Sequence, residues 1–91
     1  MDKPLTLPAK LDISAVAGLH ADLVARKDQT VELDLSDVTH FGALCLQVII
    51  AAARKANSTG KSLCLRNAND RVLAQLLAMG VTPETIMEGQ P

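Results

Sequence analysis

The sequence predicts a small two-layer α/β domain, in which a mixed β-sheet of about four strands carries three helices mainly on one face. Three observations lead to this prediction. Apolar residues recur at helical spacing in three segments, two segments between them alternate between apolar and polar residues, and turn-forming residues separate the segments. Strands that alternate in this way bury only one face, so the helices are expected on a single side of the sheet.

The composition limits the classes of function. With 91 residues, the chain is long enough for one domain with one hydrophobic core. Its hydrophobic content of 48% is almost entirely aliphatic, and its nine basic residues are scattered along a chain of net charge −1. A nucleic-acid-binding surface, which needs a basic stripe or aromatic stacking platforms, is therefore not expected. No apolar run reaches the roughly 18 residues that span a bilayer, and no signal peptide is recognisable, so we expect a cytoplasmic protein without membrane insertion.

The first half of the chain predicts an edge strand and a helix. Residues 5–7 alternate between two prolines, as is typical of an edge strand. A first helix is predicted over residues 15–26, with Asp12 or Ser14 as its cap. The helical spacing gives this helix one buried stripe, made of Val16, Leu19, Leu23 and Val24.

The remaining elements alternate strands with helices. Alternating residues predict strands at 31–36 and 61–66, and a third helix is predicted at 71–79, closed by Gly80. Residues 81–87 are predicted to form a last short strand, which gives the order β-α-β-α-β-α-β.

The central helix, predicted over residues 41–56 with a stop at Gly60, carries more apolar surface than the sheet can cover. At about 100° per residue, one sector of the helix faces the sheet and the opposite sector faces outward. The sheet-facing residues are Leu46, Ile49, Ile50 and Ala53, and the outward residues are Leu44, Gln47, Ala51 and Arg54, with Val48 to one side. Leu44, Cys45 and Val48 would leave apolar area uncovered in the first turns. Either a neighbouring helix covers them or another protein docks there.

The chemistry-bearing residues do not form a catalytic or metal-binding arrangement. Cys45 and Cys64 lack Cys-x-x-Cys spacing and nearby histidines, so we predict two buried or half-buried thiols rather than a metal site or a disulfide. His20 and His40 have no nucleophile or second ligand at productive spacing. No catalytic residue, cofactor or metal is therefore predicted. Gly42 is interpreted as a tight turn that lets a partner approach closely, with His40 at the rim.

The order of these residues resembles the STAS family, the sulfate-transporter and anti-sigma-factor-antagonist domain. In that family, a strand ending in a run such as Leu-Asp-Leu-Ser is followed by Asp-Ser-Ser-Gly-Leu-Gly at the start of an apolar helix. A Gly then leads into the next strand, and a final helix ends in a Gly. The resemblance runs without gaps over residues 31–81 and implies a single STAS-like domain over residues 1–91. It rests on Leu33, Asp34, Leu35, Ser36, Leu46, Ile49, Ile50, Gly60, Leu63, Leu65, Val72, Leu76, Leu77, Ala78, Met79 and Gly80.

The chain departs from the family pattern where phosphorylation would occur. Family members that act as switches carry an Asp followed by Ser or Thr, one of which accepts phosphate from a partner kinase. Here Gly42 takes the place of the Asp, and Ala43 and Leu44 take the two hydroxyl positions. Ser36 and Thr39 are the nearest hydroxyls, and both precede the helix. The resemblance therefore implies a constitutive binding module without a phosphoacceptor.

The stretch from Val38 to Val48 is also similar to small STAS proteins encoded with chemotaxis proteins in some bacteria. This similarity implies a GHKL-type kinase as partner, namely the chemotaxis histidine kinase. Two alternatives stay open: an anti-sigma-factor antagonist, and a small STAS subunit of a transporter ATPase. A homodimer formed through a sheet edge is a further arrangement that the sequence permits. The predicted partner-binding residues are Thr39, His40, Gly42, Ala43, Leu44, Cys45, Gln47 and Val48.

Overall fold

The structure is a computed structural model that describes residues 4–26 and 29–89. In this part of the chain, strands and helices follow one another closely. The strands are β1 (Leu5–Thr6), β2 (Lys10–Leu11), β3 (Thr30–Asp34), β4 (His40–Phe41) and β5 (Ser62–Arg66). The helices are α1 (Val16–Ala25), α2 (Ala43–Ser58), α3 (Asp70–Ala78) and α4 (Pro83–Met87), and a 3-10 helix (Ile13–Ala15) leads into α1.

The strands form two small sheets, and every pairing among the described residues is parallel. The larger sheet has the order β1-β3-β5, with Leu33 opposite Leu5 on one side and Leu65 on the other. The smaller sheet joins β2 to β4, with Leu11 opposite Phe41. The α/β class is confirmed, although a mixed sheet had been expected and the strands divide into groups of three and two.

The two faces of the larger sheet differ in polarity, as the alternation predicted. One face carries polar pairs: the Thr30 and Ser62 hydroxyls lie 3.0 Å apart, and Arg66 forms a salt bridge of 3.2 Å with Glu32. The other face supplies Leu33 and Leu63 to the hydrophobic core. Because alternate residues of a strand point to opposite faces, one side of this sheet meets water and the other meets the helices.

The central helix supplies a large part of the core. Its predicted sheet-facing residues, Leu46, Ile49, Ile50 and Ala53, are all buried, and the outward residues Leu44, Gln47, Ala51 and Arg54 are exposed. These positions confirm the rotation of the helix that its apolar period predicted. The other buried residues are Leu7, Leu11, Leu19, Leu33, Leu35, Val38, Phe41, Cys45, Leu63, Val72, Leu76, Val81 and Ile86.

The C-terminal segment is a helix, so the predicted last strand at residues 81–87 is wrong. Thr82 caps α4 because its hydroxyl accepts the backbone N–H of Thr85, and Pro83 occupies the first turn, where its missing N–H costs nothing. The sulfur of Met87 accepts the backbone N–H of Leu65 at 3.4 Å. The helix therefore lies against the outer edge of β5.

One further detail differs from the sequence-based expectation. Val24, predicted in the buried stripe of α1, is exposed, and only Leu19 of that stripe is fully buried. Arg54 is exposed as predicted and also donates two hydrogen bonds of 3.0 and 3.1 Å to the carbonyl oxygen of Gly89. Over the described ranges, no helix is both long enough and apolar enough to cross a membrane.

Candidate partner-binding site

The chain approaches the start of α2 along the small β2–β4 sheet. The backbone N–H groups of Thr39 and His40 both donate to the carbonyl oxygen of Ala9, at 2.7 and 3.1 Å. One step further, the N–H of Gly42 donates to the carbonyl oxygen of Leu11 at 2.8 Å. These bonds hold the N-terminus of α2 on a fixed backbone platform.

Gly42 is required for space rather than for an unusual backbone conformation. It caps α2 with φ −85° and ψ 159°, which any residue can adopt. A Cβ atom at this position would lie 2.7 Å from the carbonyl oxygen of Leu11, a backbone atom with little freedom to move. The interpretation of Gly42 as a tight turn is therefore replaced by a close approach between two backbones.

Side chains at and just before α3 form hydrogen bonds with the backbone of the segment that leads into β4. The Gln75 side chain donates from Nε2 to the carbonyl oxygen of Thr39 at 2.8 Å and accepts the N–H of Phe41 on Oε1 at 2.7 Å. Asn69 donates from Nδ2 to the carbonyl oxygen of Val38 at 2.9 Å, while its Oδ1 caps α3 by accepting from Val72. The amide side chains thus satisfy the backbone groups on both sides of His40.

The first turns of α2 present an apolar surface to solvent. Leu44 is 53% exposed, and Ala43 and Gln47 are exposed beside it. Thr39 and His40 are exposed on the segment before the helix. We call the exposed residues Thr39, His40, Ala43, Leu44 and Gln47 the α2 N-terminal surface.

Cys45 does not belong to this surface, so its predicted role as a contact residue is wrong. Its side chain is completely buried, and its thiol donates to the carbonyl oxygen of Asp12 at 3.4 Å. Burial raises the pKa of the Cys45 thiol, and the neighbouring Asp12 carboxylate adds to the rise. The prediction that Cys45 and Cys64 are buried or half-buried free thiols is confirmed.

Val48 lies one turn further along α2 and is half-buried against the core. Its contribution to a partner contact would therefore be smaller than that of Leu44. Gly42 is also half-buried and acts by shaping the backbone beneath the surface. Of the predicted contact residues, Gly42, Cys45 and Val48 are therefore not exposed.

Ile13, which the sequence analysis did not select, extends the apolar area. Asp12 lies against the start of α2, since its Cα would be 3.7 Å from a Cβ on Gly42. Ile13 follows directly in the 3-10 helix and is 76% exposed. A signal was present, because Ile13 is a bulky aliphatic residue between the polar residues Asp12 and Ser14 and lies outside the buried stripe predicted for α1.

The electrostatic environment at this surface centres on Asp12. Its carboxylate accepts hydrogen bonds from the Ser14 hydroxyl and from the Ser14 N–H at 3.0 Å. These bonds lower the pKa of the Asp12 carboxyl, and the imidazole of His40 contributes further to the lowering. An anionic group therefore lies beside the apolar residues at the N-terminus of α2.

No hydroxyl stands at the positions where family members accept phosphate. Ala43 and Leu44 are exposed alkyl side chains in the first turn of α2. Of the two nearest hydroxyls, that of Thr39 donates to the carbonyl oxygen of Ala9 at 3.1 Å, and Ser36 is exposed in the turn after β3. In the described ranges, no group of three or more His, Cys, Asp or Glu side chains is arranged to hold a metal ion.

Comparison with known proteins gives one family match. The model of a family described as "Mlab, STAS domain" matches residues 2–87, which is nearly the whole chain. No curated protein and no solved structure matches this sequence significantly.

Proposed function

The chain belongs to the STAS domain family, and from this membership we propose that it is a noncatalytic binding module that docks onto a GHKL-type kinase through the α2 N-terminal surface. STAS domains act in general as regulatory or binding modules. The finer assignment, that the partner is the histidine kinase of a chemotaxis pathway, rests on the similarity of residues 38–48 to small chemotaxis-associated STAS proteins.

The exposure of Leu44 is the observation that carries the proposal. Leu44 is 53% exposed in the first turn of α2, and Ile13 and Ala43 are also exposed nearby. Together they form an apolar patch that no other part of the described chain covers. Full burial of a leucine side chain is worth roughly 1.5–3 kcal/mol, and covering the exposed parts of Leu44 and Ile13 would supply part of that for each residue, a useful share of a modest interface.

The rigidity of the platform supports the same conclusion. The α2 N-terminus is held by Leu11 through Gly42, by Asp12 through Cys45, and by Gln75 through the strand before it. A surface fixed in this way loses little conformational entropy on binding, which favours affinity from a small contact area.

The proposal is tested by placing a charge on the patch. In Leu44→Asp, an acidic residue replaces an exposed apolar one in the first turn of a helix, where the helix dipole favours a carboxylate. We therefore expect a circular dichroism spectrum and a melting temperature close to those of the wild type. Binding to the purified ATPase domain of the host chemotaxis kinase, measured by calorimetry, should be lost.

Leu77→Asp is the matched control for this experiment. Leu77 is 68% exposed on α3, so the variant makes the same chemical change at an exposed leucine outside the α2 N-terminal surface. It should bind the kinase as the wild type does. If Leu44→Asp unfolds the domain, or if both variants bind normally, the proposed docking surface is wrong.

A small STAS subunit of a transporter ATPase is the second candidate, and one observation favours it. An ATPase that does not phosphorylate its regulator requires no acceptor hydroxyl on the docking surface, and the exposed residues Ala43 and Leu44 carry none. An anti-sigma-factor antagonist remains the other alternative partner class, using the same face of the domain.

Binding measurements separate these candidates, and incubation with ATP tests whether the domain carries a phosphorylation switch. The domain is mixed with a chemotaxis kinase, an anti-sigma kinase or a transporter ATPase, and its intact mass is then measured. We expect no phosphoryl adduct with any of the three, and calorimetry with each protein identifies the partner. A phosphoryl adduct on Ser36 or Thr39 would contradict the assignment of a module without a phosphorylation switch.

A further inference from the structure

A cleft of about 350 Å³ lies between α1 and α2 and reaches the start of the larger sheet. Helix α1 lines it with His20, Leu23 and Val24, and α2 lines it between Val48 and Ala56, with Thr59 just after the end of the helix. Its volume falls at the lower end of the roughly 300–1,000 Å³ that is typical of small-molecule sites. The cleft is partly open to solvent and shares no lining residue with the α2 N-terminal surface.

The cleft exists because α2 carries short side chains where it faces α1. Ala51, Ala52 and Ala56 line it, and each offers a single methyl group. Protein interiors normally fill the space between packed helices, so an unfilled cleft of this size needs a cause in the sequence. Here the cause is a set of alanines at positions where larger aliphatic residues would close the gap.

The floor of the cleft is apolar. Leu63 is buried, and Leu23, Val31 and Val48 are half-buried. These side chains come from α1, β3, α2 and β5 and line one concave surface. A floor of this kind favours an aliphatic group, because burying apolar surface on both partners is favourable.

The exposed rim of the cleft is cationic. Lys55 on α2 and Lys61 before β5 are both exposed at its edge, and His20 lies across from them on α1. Arg26 also lines the cleft but makes other interactions. No carboxylate belongs to the described lining, although the chain as a whole has ten acidic and nine basic residues. The positive charge is therefore concentrated here relative to the rest of the molecule.

We propose that the cleft binds a small anionic amphiphile, a molecule with a short aliphatic tail and a carboxylate or phosphate head. The tail lies on Leu23, Val31, Val48 and Leu63, and the head lies at the rim, within reach of the Lys55 and Lys61 ammonium groups. The apolar floor selects the aliphatic tail, and the cationic rim selects the anionic head. The proposal does not depend on the proposed partner, since Leu44 does not line the cleft.

Sodium decanoate, kept monomeric, is the probe for this site. We expect the amide signals of Val48, Ala52 and Leu63 to shift on titration in a ¹⁵N NMR spectrum, with saturation. Decanol, which has the same tail and no charge, and decyltrimethylammonium, which has the opposite charge, should bind at least about tenfold more weakly. Added salt should weaken decanoate binding, because exposed charges are screened.

Variants at the rim test the charge and the space of the cleft. Lys55→Gln combined with Lys61→Gln should weaken decanoate binding about tenfold, because two charge-assisted contacts are lost. Lys10→Gln, which removes an exposed lysine outside the cleft, should bind as the wild type does. Ala51→Leu places a larger side chain at the rim of the cleft and should also weaken binding. None of these changes involves Leu44, so kinase docking can be measured on the same proteins.

The proposal is overturned if decanoate shifts no signals in the cleft, or if decanol binds as tightly as decanoate. Equal affinity of the double lysine variant and Lys10→Gln would also overturn it. Binding to anionic vesicles without binding to monomeric decanoate would assign the basic rim to a membrane surface instead, and would likewise reject a ligand site.

Discussion

The side-chain oxygen of Gln75 accepts the backbone N–H of Phe41 at 2.7 Å, and this bond ties α3 to the strand that leads into α2. The Gln75 amide nitrogen donates to Thr39 on the other side of His40 at 2.8 Å. One side chain therefore fixes the conformation of the segment from which Thr39 and His40 are exposed. Helix α3 contributes none of the predicted contact residues, yet it fixes the backbone from which Thr39 and His40 are exposed.

Replacement of Gln75 should lower the stability of the fold and loosen the segment that presents Thr39 and His40. In Gln75→Ala, the N–H of Phe41 loses its partner in a half-buried place, and an unsatisfied group of this kind costs about 1–3 kcal/mol. Urea denaturation measures the loss of stability. Gln47→Ala, at an exposed position on α2, should change stability by less than about 0.5 kcal/mol. Equal midpoints for the two variants would contradict the role assigned to Gln75.

Two glycines should respond in opposite directions to the same substitution. Gly42→Ala forces a methyl group to within 2.7 Å of the Leu11 carbonyl oxygen, so β2 and β4 must separate, at a cost of about 1–3 kcal/mol. Gly18→Ala lies inside α1 with open space around the new methyl group, and should stabilise the protein by about 0.5–1 kcal/mol. Thermal denaturation of both variants tests the pair. Similar melting temperatures would show that the close approach at Gly42 does not constrain the fold.

The stability of the sheet should depend on the ionisation of Asp34. Its carboxylate accepts the N–H of Ser36 at 3.0 Å and the side-chain amide of Asn67 at 3.1 Å. The hydrogen bond from the Ser36 N–H makes the largest contribution to lowering the pKa of the Asp34 carboxyl below its ordinary value. Because the folded-state pKa is lowered, the stabilisation is present above the unfolded pKa and is lost as the pH falls through the folded value.

Asp34→Asn should therefore reduce the loss of stability on acidification. Urea midpoints at neutral pH and near pH 3 should differ less in this variant than in the wild type. Asp22→Asn removes an exposed carboxyl from α1 and controls for the loss of a negative charge. An unchanged pH dependence in Asp34→Asn would show that the carboxylate makes no net contribution.

The sequence predicted the rotation of α2 correctly because its apolar residues repeat with the period of the helix. Leu46, Ile49 and Ile50 could face only a core. Cys45 was placed wrongly because the same wheel put it at the boundary of the apolar sector. Its burial depends on the segment around Asp12, which closes over the first turn from a distant part of the chain. The apolar period of a helix predicts which of its faces is buried, but it does not predict which distant segment packs on that helix.

The elements that the sequence missed are short and depend on long-range partners. Strands β2 and β4 have two residues each and exist because Leu11 pairs with Phe41. The role of Gln75 could not be predicted from the sequence, since its two backbone partners are separated from it by more than thirty positions. For residues 81–87, the apolar residues indicated a strand. The segment is instead the helix α4, because Thr82 and Thr85 cap its N-terminus.

The bonds that hold the α2 N-terminus span long distances along the chain, and this determines when the surface forms during folding. Phe41 is bonded across 34 residues to Gln75, and Cys45 across 33 residues to Asp12. Contacts of such separation are slow to form, because the loops between them must close first. A synthetic peptide covering residues 38–58 would therefore contain Leu44 and its neighbours without presenting them as a surface. Local unfolding at either α3 or the β2 segment would therefore loosen the α2 N-terminal surface before the rest of α2 unfolds.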